Sequence, residues 1–339
     1  MFDFSSRVVS SLSESEKREV RALLASQDLD FEEGADRVAL VEDADGALAG
    51  TASLFGDVIR MVAVSDEHQE YGLSAVALSA LLEVARSRGT SHLFVYTKRD
   101  MAPRFASLGF RGIAQTEAVS LLETGEPGIG TYRAYLEDNR IEAPEGGTIG
   151  AIVVNCNPFT RGHRYLIGRA SEECALLYVV VVEADLSFFS FADRYAMVKL
   201  GTADLGNVKV LRSGPYAVSA ATFPTYFLKD KGAAAVSEQQ ARLDVDLFLR
   251  LYVRSLLLDV RFIGTERDCP VTAIYNGVMS EVLPGSGVAV REVERLRTDS
   301  GEVVSASTVR RMLAAGERER LGAFLPPSTT DYLRSIGTL

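Results

Sequence analysis

The chain has 339 residues, 47% hydrophobic and 24% charged, with a formal net charge of −10. That length exceeds one ordinary core, so two domains are expected. An acidic balance with no block of lysine or arginine excludes duplex nucleic acid and anionic membrane as partners, since both need a basic footprint. Cys156, Cys174 and Cys269 are too few and too scattered for a disulfide framework or a paired-thiol zinc site, which points to a reducing, cytoplasmic compartment. The start, "MFDFSSRVVSSLSESEKREV", lacks the basic and apolar regions of a signal peptide. The apolar run "ALLYVVVV" is too short to cross a bilayer.

In chain order, "RVALVED" and "ALAGTASLFGDVIRMVAV" read as strands, with a turn at Asp45-Gly46. Helical spacing follows in "GLSAVALSALLEVARSRG" through Val76, Leu78, Leu81, Leu82 and Ala85, with Gly89 placed to stop the helix. "HLFVYT" reads as a short buried strand. Glycine, proline and acidic residues then concentrate over 121–150, the composition of a boundary. The expected division is a first domain over 1–125, a linker over 126–147 and a second domain over 148–339.

Beyond the seam, strands are expected at 149–154, 177–183, 208–211, 260–264 and 288–293. Helices are expected at 163–174, 192–201, 239–257, 271–283 and 306–315. This alternation predicts an α/β domain with a parallel sheet covered on both faces. Ligands of such sheets bind past the carboxyl ends of the strands.

The stretch "NCNPFTRGH", residues 155–163, stands at that place, directly after "TIGAIVV". A helix beginning near Gly162-His163 offers unpaired N–H groups and the positive end of its dipole to a phosphate. Gly162 lets the backbone approach the ligand, His163 would donate a ring N–H, and Thr160 adds a hydroxyl. The plainer reading is a structural turn in which His163 caps its own helix. A second stretch, "VSASTVRR" at 304–311, suits a helix start with Ser305 or Ser307 at the N-cap. Arg310 and Arg311 fall in its first turns, where a cation is poorly matched to the dipole and an anionic ligand would account for it. The plainer reading there is a capped surface helix with solvated arginines.

Together the two stretches resemble the signatures of the nucleotidyltransferase superfamily, (H/T)xGH after the first strand and a late I-S-(S/A)-(S/T)-x-x-R. Val304 stands where isoleucine is usual. The resemblance implies a Rossmann-like domain that binds ATP, with the α-phosphate near Thr160 and His163, Arg310 on the β- and γ-phosphates, and Mg2+ accompanying the triphosphate. Asn157, Pro158, Phe159 and Gly162 on one side, and Ser305, Ser307 and Thr308 on the other, would complete the nucleotide site. More narrowly, "IGAIVVNCNPFTRGHRYLI", "LGTADLGNVKV", "ATFPTYFLK", "RFIGTE", "VTAIYNGVM" and "EVERLR" are similar to the C-terminal region of the citrate lyase ligase family. Under that resemblance Thr265 and Glu266 would border the nucleotide or the acyl acceptor, and Tyr275 and Asn276 the adenosine end.

In the first half, "HQEYGLSAVALSALL" sets Gln69, Gly72 and Ser74 in a pattern similar to the acetyl-CoA loop of GCN5-related N-acetyltransferases (GNAT), with Ser74 in place of the usual final glycine or alanine. "RFASLGF" resembles a later element of the same fold. The resemblance implies a GNAT-like α+β domain that binds acetyl-CoA or a CoA-like group, whether to transfer the acetyl group or only to hold the ligand. Glu67 and Tyr96 are its candidate general bases. The whole then implies an enzyme that acetylates, with acetate and ATP, the thiol of the CoA-derived group on the acyl carrier subunit of citrate lyase, releasing AMP and pyrophosphate. Two alternatives share these motifs: an adenylyltransferase acting on a phosphorylated small molecule such as a pantetheine phosphate, and an acetyl-CoA-binding acetyltransferase.

Other residues carry plainer readings. Cys156 is expected to be a buried small hydrophobe and not a nucleophile. His68 and His92 read as surface or cap residues, and the stripe of Leu243, Leu247, Phe248, Leu251 and Tyr252 as helix core. No grouping has metal-ligand spacing.

Overall fold

The computed structural model describes residues 4–183, 187–217, 227, 232–266 and 270–339. Cys269 and all of "ATFPTYFLK" except Phe227 lie outside the described residues. The chain forms two compact units: residues 1–132 with 222–246, and residues 133–221 with 247–339.

The first unit runs β1 (Ser5–Val9), α1 (Glu14–Ser26), β2 (Arg37–Glu42), β3 (Leu48–Phe55), β4 (Val58–Val64), α2 (Leu73–Ser87), β5 (His92–Lys98), α3 (Ala102–Ser107), β6 (Arg111–Gln115) and β7 (Val119–Gly125). Its sheet has the order β1-β2-β3-β4-β5-β7-β6. Neighbours are antiparallel except β4 and β5, which pair in parallel only at Val58–Phe94 and Ile59–Val95. Beyond Ile59 the two strands part, and α2 starts beside the opening from Gly72, whose left-handed φ of 68° turns the chain into the helix. This is an α+β architecture, as expected, with one parallel pair inside an otherwise antiparallel sheet. The Asp45-Gly46 turn forms, with Asp43 Oδ1 accepting from the backbone of Asp45 and Ala47. On α2 the buried face is Leu73, Ala77, Leu78, Leu81 and Ala85, whereas Val76 is exposed. Its position one residue before Ala77 puts it on the solvent side.

The expected linker contains a helix, α4 (Ile129–Asp138). Tyr132 and Leu136, four residues apart, supply a buried edge that the flanking glycines and prolines conceal from a compositional reading.

The second unit follows the anticipated alternation: β8 (Ile149–Val154), α5 (Arg161–Glu172), β9 (Leu176–Val181), α6 (Phe191–Gly201), β10 (Val208–Arg212), β11 (Val260–Gly264), α9 (Pro270–Gly285), β12 (Ala289–Val293), α10 (Ala306–Ala315) and α11 (Pro327–Ser335). Between β10 and β11 stands α7 (Ala233–Phe248), continued through a π-helical turn into the short α8 (Arg254–Leu256). Leu243, Leu247, Phe248, Leu251 and Tyr252 are buried there, as the stripe predicts. All five strands of the sheet are parallel, in the order β10-β9-β8-β11-β12. The order reverses between β8 and β11, which pair only at Gly150–Val260 and Ala151–Arg261 and are free to diverge toward their carboxyl ends. A reversal of this kind opens the ligand crevice of a doubly wound sheet.

The core of this unit joins Ile152, Val154, Val179, Val181 and Phe262 of the sheet to Ile167 of α5, Met197 and Val198 of α6, and Val309 and Met312 of α10. Each fully buried side chain of this size contributes roughly 1.5–3 kcal/mol relative to exposure. The site helices are therefore anchored through their apolar faces, leaving their first turns at the crevice.

Candidate active site

The turn after β8 brings the polypeptide to the start of α5, which begins at Arg161 rather than at 163. Thr160 is the N-cap: its Oγ1 accepts from the backbone N–H of His163 at 3.3 Å. His163 reciprocates, its Nδ1 accepting from the backbone N–H of Thr160 at 3.0 Å. The histidine thus closes a capping box, the place a glutamate or glutamine usually fills. The plainer reading is correct for Nδ1, and it has a chemical consequence. An Nδ1 that accepts from an amide carries no proton, so the neutral ring carries its proton on Nε2. Burial, with the Arg295 guanidinium adding to it, holds the imidazole pKa down to about 4. At neutral pH the ring is therefore an uncharged Nε2–H donor of fixed tautomer.

The first-turn amides of α5 are partly committed. Arg161 N–H donates to Phe324 O at 2.8 Å, and Arg164 N–H to Thr160 O at 3.0 Å. Among the described residues the Gly162 N–H has no protein acceptor, which leaves it for a ligand.

The second motif lies against the first. A Cβ built on Gly162 would sit 2.9 Å from the carbonyl oxygen of Val304, so this glycine is what lets the two stretches meet. Arg310 donates from Nη1 to the carbonyl oxygen of Asn157 at 2.5 Å. Two residues 153 apart in sequence are thereby tied at the switch point. Ser305 caps α10, its Oγ accepting from the backbone N–H of Thr308 at 3.1 Å and making hydrogen bonds with the hydroxyls of Ser307 and Thr308. Arg311 donates to Thr308 Oγ1.

Beneath these groups the loop is held by two buried side chains. Phe159 is wholly buried, stacked near the His163 ring and packed against Gly201, so its side chain belongs to the core rather than to a ligand surface. Arg194 of α6, also fully buried, donates to the carbonyls of Asn155, Val182 and Phe189 and to Asn155 Oδ1. Asn157, 8% exposed, accepts at Oδ1 from the backbone N–H of Phe189. Pro158 is buried between them. Cys156 is buried in the core with its thiol pKa pushed up by desolvation, as a spectator should be.

Across the crevice, Thr265 and Glu266 follow β11. Thr265 Oγ1 accepts from the backbone of Arg295, and the nearly buried Glu266 carboxylate forms an ion pair with its guanidinium. Arg295 is the residue that sequence reasoning missed, although the quoted "EVERLR" contains it; only the fold shows that its charge reaches His163. Asn276 donates to Gly264 O and reads as a structural tie at the strand end.

In the first unit, Gln69 donates to Asp66 on an exposed turn, and Gln69 and Ser74 line a cavity of about 310 Å³ at the parting of β4 and β5. Thr97, Met101 and the buried Phe227 border it too. These residues are brought together with Gly72 but belong to a different unit from His163 and Arg310. Of the two candidate bases, Tyr96 is buried and Glu67 exposed. His68 bonds to Ser65, whereas His92 pairs at 2.8 Å with the fully buried Glu123, a more enclosed place than a surface or cap residue has. Among the described residues no three His, Cys, Asp or Glu side chains come together to hold a metal ion, and no helix is long and apolar enough to cross a membrane.

A parallel sheet whose switch point joins a capped Thr-x-x-His turn to a serine-capped, arginine-bearing helix has the build of a Rossmann-like ligand-binding domain. The family model of the citrate lyase ligase C-terminal domain matches residues 149–333. The chain is 36% identical over 290 residues to the [Citrate [pro-3S]-lyase] ligase of Haemophilus influenzae, covering 84% of this chain and 85% of that one. It is 35% identical over 303 residues to the [Citrate [pro-3S]-lyase] ligase of Klebsiella pneumoniae, covering 88% and 87%. The protein belongs to the citrate lyase ligase family and is an enzyme. A solved structure, Escherichia coli ElaA, aligns with 37% of this chain and 99% of its own at 18% identity and a TM-score of 0.31.

Proposed function

We propose that the second unit activates acetate with ATP and passes the acetyl group to the thiol of the CoA-derived prosthetic group on the acyl carrier subunit of citrate lyase. A carboxylate oxygen of acetate attacks the α-phosphorus, the bond to the bridging oxygen breaks, and pyrophosphate leaves. The thiol sulfur then attacks the acetyl carbonyl, its proton is released, and AMP departs. No protein nucleophile is needed, because positioning and charge stabilisation suffice for both transfers.

The observation that carries this reading is the junction of the two motifs. The free Gly162 N–H and the Nε2–H of His163 form a donor set suited to an α-phosphate oxygen as charge builds on it, while the Thr160 hydroxyl, 3.0 Å from the unprotonated Nδ1 of His163, donates to that ring and holds it in place. Arg310, already anchored on Asn157, has guanidinium N–H groups left for the departing phosphates, and the helix N-terminus starting at Ser305 adds its dipole. Mg2+, when bound, screens the triphosphate charge. The acidic side chains described offer no all-protein cage for it, which fits an ion that is held chiefly by phosphate oxygens and water.

The cavity beside Gly72 and Ser74 is assigned to a CoA-like group, with the first-turn amides of α2 for its pyrophosphate. A free thiol acceptor and the reduced Cys156 and Cys174 suit a reducing cytoplasm. The test is direct. Purified protein given ATP, acetate and deacetylated citrate lyase should release AMP and pyrophosphate and restore lyase activity. Release of ADP contradicts the reading, and a dinucleotide product identifies an adenylyltransferase instead.

A further inference from the structure

On the outer side of α5 the second unit carries a groove of about 900 Å³ between that helix and one face of α11. Its lining from α5 recurs at helical spacing, with Arg161, Arg164 and Arg169 along one stripe, and Arg334 of α11 contributes a fourth guanidinium. The floor is apolar, formed in part by Leu296 and Leu325. The groove begins at the catalytic turn, since Arg161 lies two residues before His163 and Leu296 follows Arg295. In a chain of net charge −10, four arginines against two acidic side chains in the lining, Glu172 and Asp331, form a local exception.

The arginines are available. Arg164, Arg169 and Arg334 pair with Asp204, Glu172 and Asp331, but each is a surface pair of a kind worth about 0–1 kcal/mol and readily exchanged for a partner's carboxylate. The Arg161 guanidinium has no acceptor among the described residues. Gly168, midway along the stripe, keeps the helix surface low between them.

We propose that this groove docks the acyl carrier subunit, as an acidic protein whose carboxylates meet the arginine rim while its anionic, thiol-ended arm runs along the floor toward His163. The proposal rests on the reading that the acceptor thiol is borne by a carrier protein. Charge complementarity selects this occupant: a strongly acidic enzyme repels an acidic partner everywhere except at such a rim.

The test separates docking from chemistry. In the full-length enzyme, Arg169→Glu with Arg334→Glu should raise the KM for deacetylated citrate lyase about tenfold or more and flatten its salt dependence, as loss of rim charges does. Acetate-dependent ATP–pyrophosphate exchange, which needs no carrier, should keep the parent rate. Arg169→Lys with Arg334→Lys should retain most of the docking and shows that charge, not the fold of α5, is read. An unchanged KM in the glutamate variant overturns the proposal while leaving the ligase reading intact. A variant that alters the enzyme's own oligomeric state overturns it in favour of a contact between copies. Failure of the parent enzyme to support exchange at all would strike the ligase reading instead.

Discussion

Gly162→Ala tests the closure of the two motifs with one methyl group. The added Cβ would lie 2.9 Å from Val304 O and 3.4 Å from Thr160 Oγ1. A carbon–oxygen contact relaxes at about 3.4 Å, so the segment leading into α10 must retreat by about 0.5 Å. Both neighbours are held: Thr160 by the capping box and Val304 by its hydrogen bond to Leu296 O and its place in the core. Overpacking of this kind costs about 1–3 kcal/mol of stability. The retreat also moves Arg310 relative to His163. A displacement of 1 Å at a catalytic constellation costs on the order of a hundredfold, so half of that should lower acetate-dependent ATP–pyrophosphate exchange by about tenfold. The control is Gly168→Ala on the same helix, where the new methyl meets only the end of the flexible Arg164 side chain at 3.3 Å and helix propensity improves by about 1 kcal/mol. A folded Gly162→Ala enzyme with the parent exchange rate would refute the idea that the two stretches share one triphosphate.

His163→Gln removes the Nε2–H donor and should lower kcat for exchange by about 10²–10³ with the fold retained, measured by exchange and circular dichroism. Nuclear magnetic resonance of the substrate-free protein should find the His163 ring titrating near 4, and ATP should move that value upward because phosphate charge favours the imidazolium. Since the folded value lies below the unfolded one of about 6.5, the parent should lose stability relative to His163→Gln as pH falls from about 6.5 to about 4 and no further below; melting curves across that window check it. Arg194→Met leaves three loop carbonyls without their donor, at about 1–3 kcal/mol each where no water enters, so a lower Tm and weak exchange are expected together. Gly201→Ala would place a methyl 2.2 Å from the Phe159 ring and should destabilise by about 1–3 kcal/mol, with the loss read by denaturant titration.

The second unit was legible because its central strands β8 and β9 are unbroken apolar runs rich in valine and its helices have one apolar face. Those signals are local and fix type and order, though the helix expected from 239 starts at Ala233 and the starts at Arg161 and Pro270 moved by a residue or two. The capped turn before α5 was legible because a helix start has a short-range signature. Arg295 and Arg194 were not: each acts through groups dozens of residues away, and nothing in its own neighbourhood distinguishes it from a surface arginine. The α4 helix was hidden for the opposite reason, since its flanking prolines and glycines speak louder than the two residues it buries. Phe159 shows the limit of motif reasoning, for a place inside a signature does not say whether a side chain meets the ligand or the core.

The first unit is not a continuous stretch of chain. Residues 232–246 belong to it, and there Asp246 accepts from the backbone of Gln115 and Gln239 from the hydroxyl of Thr116, covering the outermost strand β6. A gene cut once at the apparent seam would therefore leave β6 paired with β7 but without these two bonds at its end, exposing more of an edge prone to self-association. An engineer who wants the two halves apart must graft the returning helix as well.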